Sequence, residues 1–476
     1  MKFKQCIIFL LILMVIFSST SCALPHPTIT PSISPNSPTI QPSSVKFSSK
    51  DDLQNMITDI ELCLKNIIKS GADTNSLENL NVVLSNLDSM IFDSPLLEYS
   101  SALDVFLTYL KDFKDGDETK FKEHFSKYKE LESENLKLNL NETEYFLLIS
   151  SIRERARMKD SEIVLTFAGD CSFGTYPQAK PENKFDYVME HTAKNDFEYN
   201  FKNCFSFFKT DDLTIANNET AISSRSKMVN KLWQIKSDPK FTPIYKIAGV
   251  DILNLANNHT MDCFSEGYQD TLQSLSENNL EYFDADIPLV KNVKGVQLVL
   301  LGYSVLRSQA SEAIKTAIIN DIEKHKTPDN FVIVNMHWGK EYSLQPVAYQ
   351  KDYAYAFVDA GADLIIGAHP HIMEGIEKYN EKYILYSIGD FCFGGDPDLE
   401  SRMTALFRFR IETNTRAVSM EIVPYYENSD GIESGYNNFQ PTPLFGDEGQ
   451  RISNYLASVS QPLTYGITQY NIFDPF

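Results

Sequence analysis

Side chains able to bind a cation or move a proton recur in this sequence at one kind of position, directly after short apolar runs. Ile163–Ala168 is followed by Gly169-Asp170, and Leu213–Ala216 by Asn217-Asn218-Glu219. Asp251–Ala256 leads into Asn257-Asn258-His259, with Asp262 just beyond. Phe331–Met336 leads into His337-Trp338-Gly339, and Leu364–Ile366 into Gly367-Ala368-His369-Pro370-His371. Of the chain's 8 histidines, half fall at these places, which chance placement explains poorly. Carboxylate, amide oxygen and imidazole together suit Mn, Fe or Zn better than Mg or Ca. Two such ions activate a bridging water and clamp the oxygens of a tetrahedral centre, and a nearby imidazole can protonate a leaving group.

For these residues to meet, the apolar runs must be strands whose carboxyl ends share one crevice, which is where ligands gather in α/β sheets. The runs alternate with longer segments of helical character, through Val296–Gly302 and Ile384–Ser387, and this predicts an α/β sheet core. The last two, Leu406–Ile411 and Val418–Pro424, have no helix between them and read as an antiparallel finish. The segment with Tyr353, Tyr355 and Phe357 beside Ala354, Ala356 and Ala360 reads as a helix packed on the sheet. Ahead of the sheet, residues 51–159 show three-to-four apolar spacing (Leu53, Met56, Ile57, Ile60, Leu64, Ile67 and Ile68, then Leu77, Leu80, Leu84, Leu87 and Ile91), punctuated by Gly71 and Pro95. This predicts a small all-α domain with no catalytic character.

The ordered blocks Gly-Asp, Asn-x-Glu after "DLTIA", "LANNHTMD", "HWGKEY" and "GAHPH", supported by "YSIGDF", resemble those of CapA-like capsule-synthesis proteins. That family is implicated in poly-γ-glutamate formation and is a branch of the calcineurin-like metallophosphoesterase superfamily. The resemblance covers roughly 162–443. It implies a layered α-β-β-α domain over 160–445, with 446–476 as a tail packed on it, and one or two divalent ions (Mn, Fe or Zn). It makes Asp170, Glu219, Asn258, His337, His369 and His371 the metal ligands. His259 becomes the acid or oxyanion-stabilising group, oriented by Asp262, and Trp338, Glu341 and Tyr342 line the substrate side. The chain also departs from the superfamily. Asp170-Cys171-Ser172 stands where Asp-x-His is usual, a loss that CapA-like proteins share. Phe264 occupies a place that is commonly Gly, and Asp390 replaces the Asn of a Gly-Asn-Phe turn, where it can still orient a ligand.

Some residues carry two readings. His337 taken alone is as readily a turn residue as a ligand, and Asp262 can equally cap a helix beginning near Ser265. His369 and His371, two apart at a strand end, are expected to point the same way. Cys171, Cys263 and Cys392 adjoin motifs but read as small buried residues. The metal pocket also fits two functional classes: a hydrolase, or a non-catalytic component that binds the polymer.

The whole chain bounds these readings. Its 476 residues, 43% hydrophobic, allow a sizeable core. The formal charge of −21 argues against nucleic-acid binding by phosphate neutralisation, so an anionic substrate needs a bound cation to hold it. Lys2 and Lys4, the apolar run Ile7–Phe17 and small residues before Cys22 form a signal-like leader over 1–22. It resembles a lipobox, with Ser19 in place of the usual Leu. Lipidation of Cys22 would anchor the chain on the extracytoplasmic face of a bacterial membrane, behind a Pro/Ser/Thr-rich tether at 23–50. The partners expected there are an anionic envelope polymer or its intermediates and a polyglutamate synthase complex. Five scattered cysteines beyond the leader do not form a disulfide framework.

Overall fold

The computed structural model describes residues 49–111, 118–394, 402–429 and 437–474. The leader, Cys22 and the tether up to residue 48 lie outside the described residues. Among the described residues no helix is long and apolar enough to cross a membrane.

The first helix, Lys50–Ser70, opens with a reciprocal Ser49–Asp52 capping box and stops at Gly71, whose φ of 65° is left-handed. The seven apolar residues set at three-to-four spacing from Leu53 to Ile68 are buried, whereas Leu62, off that stripe, is exposed. Helices Thr74–Asp88, Ser94–Lys111, Glu118–Leu131 and Glu142–Arg157 follow. Glu118–Leu131 escaped the sequence reading because its composition is polar, although Phe121 and Tyr128 are buried. The apolar core of this helical region is continuous with the α/β part. Phe146 of the last helix, for instance, packs against Phe207, Phe445 and Phe473.

The strands in chain order are β1 (Glu162–Cys171), β2 (Leu213–Asn218), β3 (Ala221–Ile222), β4 (Lys236–Ser237), β5 (Ile252–Asn254), β6 (Glu281–Phe283), β7 (Leu289–Val293) and β8 (Val296–Leu306). They continue with β9 (Asn330–Gly339), β10 (Leu364–Ala368), β11 (Ile376–Tyr379), β12 (Lys382–Leu385), β13 (Asp390–Cys392), β14 (Met403–Glu412), β15 (Val418–Tyr426) and β16 (Thr442–Pro443). One sheet runs β16-β15-β14-β1-β2-β5-β6, with β13 beside the end of β1, and the other runs β11-β12-β10-β9-β8-β7. β1, β2, β5 and β6 are parallel neighbours, as are β8, β9, β10 and β12. β14 and β15 form the expected antiparallel finish. The predicted run Ile384–Ser387 proves to be β12 and a turn leading to β13, while the short or polar β6, β7 and β11 went unread.

The sheets pack face to face through Ile163, Leu165 and Phe167 of β1, Leu298 and Leu300 of β8, Ile333 of β9 and Phe407 and Phe409 of β14. Helices Glu312–His325 and Ala348–Asp359 cover the outer face of the second sheet, burying Ile318, Ile322, Tyr353 and Phe357. The architecture is therefore a layered α-β-β-α domain preceded by an all-helical region. Helix Gly446–Ser460 adds Ile452 and Leu456 to the inter-sheet core.

Candidate metal centre

Two close backbone approaches bring the strand ends together. A Cβ on Gly169 would lie 2.0 Å from the Gly389 carbonyl oxygen, and one on Gly367 would lie 1.9 Å from that of Tyr386. Only glycine allows the ends of β1 and β10 to abut the 386–390 turn. Left-handed backbone also occurs here. Phe264 (φ 60°), Tyr342 (φ 57°), His369 (φ 94°) and His371 (φ 61°) all hold left-handed backbone that L residues disfavour. The φ at Phe264 accounts for the glycine expected there.

Asp170, fully buried at the end of β1, accepts from Asn217 Nδ2 at 2.6 Å and from the His369 backbone N–H at 3.2 Å. Glu219 follows β2 and is 0% exposed. Neither of its carboxylate oxygens has a hydrogen-bond partner. Its nearest cationic candidates are His337 Nε2 at 3.4 Å and His259 Nε2 at 3.8 Å. His337 Nε2 lies 2.7 Å from Asn258 Oδ1, and the His337 and His369 rings are 4.8 Å apart. His369 Nδ1 is buried without a partner. His371 Nδ1 lies 2.8 Å from Asp390 Oδ1 and 3.8 Å from Asp170 Oδ2.

Ligand atoms lie within 4.8 Å of one another in three overlapping groups: Glu219–His337–His369, Asp170–His371–Asp390 and Glu341–His369–His371. The set fits a divalent cation. A buried carboxylate with no donor and an imidazole nitrogen with no partner are costly alone, and a cation satisfies both. Burial and then Glu219 push the Asp170 carboxyl up to about 7. Burial drives His337 down to about 3 and His369 to about 2, leaving neutral imidazoles with lone pairs to give. Burial alone would lower His371 as well, but Asp390, Glu219 and Asp170 outweigh it and raise it well above its usual value.

Beside this cluster stands His259. Its Nδ1 lies 2.8 Å from Asp262 Oδ2 and 3.2 Å from Lys231 Nζ, and Lys231 also pairs with Asp262 Oδ1 at 2.5 Å. Asp262 caps no helix: Cys263 holds the N-cap position of Phe264–Glu277, and Asp262 instead accepts from the Ile235 N–H at 2.7 Å. These groups open onto a cleft of about 460 Å³ lined by Tyr176, Lys231, Trp233, Glu341, Tyr342 and Phe393 among others.

Trp338 does not line it. The indole is 0% exposed, donates to the Tyr386 carbonyl at 2.9 Å and packs in the helix-covered face of the second sheet. Strand alternation explains this correction: along β9, His337 faces the site, so its neighbour faces away. His369 and His371 do meet, with rings 5.9 Å apart, but both lie past the end of β10. Left-handed backbone, not alternation, brings them together. Sequence reading missed Lys231, Trp233, Tyr176 and Asn217. The first three lie in irregular segments without periodicity, whereas Asn217, directly ahead of Asn218-Glu219 in a strand-end block, was open to notice.

Residues 164–395 match the family model described as bacterial capsule synthesis protein PGA_cap. Capsule biosynthesis protein CapA of Bacillus anthracis is 28% identical over 291 residues, 56% of this chain and 68% of its own. PGA biosynthesis protein CapA of Bacillus subtilis is 29% identical over 278 residues, 54% of this chain and 69% of its own. The crystal structure of a hypothetical protein from Thermus thermophilus overlays 55% of this chain and 99% of its own, at a TM-score of 0.36 and 15% identity, too loosely to add to the fold described above. Over residues 164–395 of its α/β domain, this chain is thus similar to the bacterial capsule synthesis protein PGA_cap family.

Proposed function

We propose that the chain is a metal-dependent hydrolase of the cell envelope, acting on an anionic polymer such as poly-γ-glutamate or on its intermediates. The observation that carries this reading is Glu219, a fully buried carboxylate with no hydrogen bond, facing His337 and near His259. Asp170, Glu219, Asn258, His337, His369 and His371 would hold one or two divalent ions, with Mn, Fe and Zn suiting the donors. Such an ion supplies Lewis acidity and lowers the pKa of bound water. Asp390 fixes the ring of His371. Asp262 holds His259 through Nδ1, so Nε2 is the atom that passes a proton to the leaving group. Glu341 and Tyr342 flank the substrate side.

The names of the Bacillus relatives support the capsule setting and the polymer. The leader supports anchoring through Cys22 on the extracytoplasmic face, near a polyglutamate synthase complex. A second reading, a non-catalytic polymer-binding component, draws on Cys171-Ser172, which removes the usual first-strand histidine ligand.

The test is hydrolysis of poly-γ-glutamate and of phosphoesters by metal-loaded protein, compared with His259→Ala. The hydrolase reading expects turnover that collapses in the variant while polymer affinity persists. Folded, metal-loaded protein without turnover on either substrate would sink it. Loss of palmitate labelling in Cys22→Ser is expected, and unchanged labelling would overturn the anchor.

A further inference from the structure

From the end of β3 into the start of β4 the chain carries Arg225, Lys227, Lys231 and Lys236 and no acidic residue, within a protein of formal charge −21. Residues 223–235 have no regular secondary structure but are pinned at several points. Ser223 N–H donates to the Ser237 carbonyl at 3.0 Å, Val229 N–H to the Asp262 carbonyl at 2.9 Å, and Ile235 N–H to the Asp262 carboxylate.

The four cations divide by occupation. Lys231 is spent within the site, on the Asn258 carbonyl (2.8 Å), Asp262 and His259. Arg225 is spent on Asp270 through two bonds of 2.7 and 2.9 Å. Lys227 and Lys236 form no direct ion pair among the described residues, although Lys227 lies near enough to Glu266 to attract its carboxylate. Lys227 lies 4.9 Å over the Phe264 ring, and Lys236 donates to the Arg225 carbonyl at 2.7 Å. On the same segment Trp233 is 48% exposed and stands edge-on to Tyr176, ring centroids 4.9 Å apart. Both rings line the cleft that reaches His259 and His371.

We propose that residues 223–237 form a guiding wall that leads an anionic polymer into the metal centre. Lys227 and Lys236 meet its carboxylates, while Trp233 and Tyr176 form a shelf for the uncharged chain between them. A γ-linked glutamyl chain has this alternation, one carboxylate per unit separated by methylenes and a planar amide. The identity of the polymer rests on the capsule reading above; the wall itself rests on charge complementarity and on the aromatic lining. A membrane surface is the poorer match, because Trp233 lines a cleft shared with His259 and does not stand on an outward face alone.

Fluorescence of the full chain tests the proposal. The chain has 2 tryptophans and Trp338 is fully buried, so Trp233 is the accessible reporter, and Trp233→Phe confirms the signal. Poly-γ-glutamate is expected to protect Trp233 from acrylamide quenching at low salt, with protection weakening as salt rises. Lys227→Glu with Lys236→Glu is expected to weaken the apparent affinity by about tenfold or more. Absence of protection, equal protection in the charge-reversed variant, or protection only by phosphatidylglycerol vesicles would overturn the wall. Bound Mn²⁺ and turnover are measured on the same samples. Protection without turnover upholds the wall and counts against the hydrolase, whereas polymer turnover without protection does the reverse.

Discussion

Glu154 and Glu219 are both 0% exposed glutamates in one folded unit, yet their surroundings are opposite. Glu154, in the last turn of helix Glu142–Arg157, accepts from Arg157 at 2.8 Å, from Arg410 at 2.5 Å and from Arg408. Burial alone would raise its pKa, but Arg408, Arg157 and Arg410 outweigh that and hold it at about 2. Glu219 accepts from nothing. The same side chain is thus a completed joint between the helical region and β14 in one place, and part of a candidate metal-ligand set in the other. A buried carboxylate with all its partners supplied by the chain is architecture, whereas one left without a hydrogen bond beside the His337 and His369 imidazoles is a candidate cation ligand. The backbone around the candidate metal centre is distinctive too, since His369, His371, Tyr342 and Phe264 are held in left-handed conformations there.

Breaking the completed joint has the largest expected effect. Glu154→Gln strands buried guanidinium groups and costs about 3–5 kcal/mol, read by urea denaturation, with bound metal unchanged. A similar cost on Glu219→Gln in metal-free protein would erase the contrast. Next is His259→Ala, for which turnover falls by about 10²–10⁴-fold while metal content holds, checked by steady-state kinetics beside elemental analysis. Third, Mn²⁺ at a hundredfold excess over its Kd raises stability by about 2.7 kcal/mol, and Glu219→Gln abolishes that increment while Glu154→Gln keeps it. The smallest effect sharpens the strain argument: Phe264→Gly relieves left-handed backbone worth about 1–2 kcal/mol, offset in part by the lost Lys227 contact. A lower melting temperature for that variant would contradict it.

Acid tests the Glu154 joint as well. Because Glu154 is held at about 2 in the folded state, below the ordinary carboxylate value, its contribution is complete above roughly pH 4 and fades as pH falls toward 2. The difference in stability between wild type and Glu154→Gln should therefore shrink across that window. A difference that stays constant would remove the pairing from the account.

Much of the site was legible because the α/β grammar puts chemistry where apolar runs stop. Asp170, Glu219 and His337 are positioned by that rule, and the structure brings them together. Trp338 was misplaced although the remedy lay in the same rule, since adjacent strand residues face opposite sides of a sheet. His369 and His371 were found through their motif, but the backbone that aims them is invisible to alternation. Lys231 and Trp233 carry no periodic signal, and their placement depends on an irregular segment tied to Asp262. The Glu154 joint pairs residues separated by more than half the chain, a contact that only packing of the helical region against β14 decides.

The most direct test of the central claim is metal content after chelation and reloading with Mn²⁺, measured on wild type, Glu219→Gln and Glu154→Gln under conditions where all three are folded. The account predicts bound Mn²⁺ in wild type and Glu154→Gln and its loss or marked weakening in Glu219→Gln. Wild type that takes up no metal, or Glu219→Gln that retains the full amount, would contradict it.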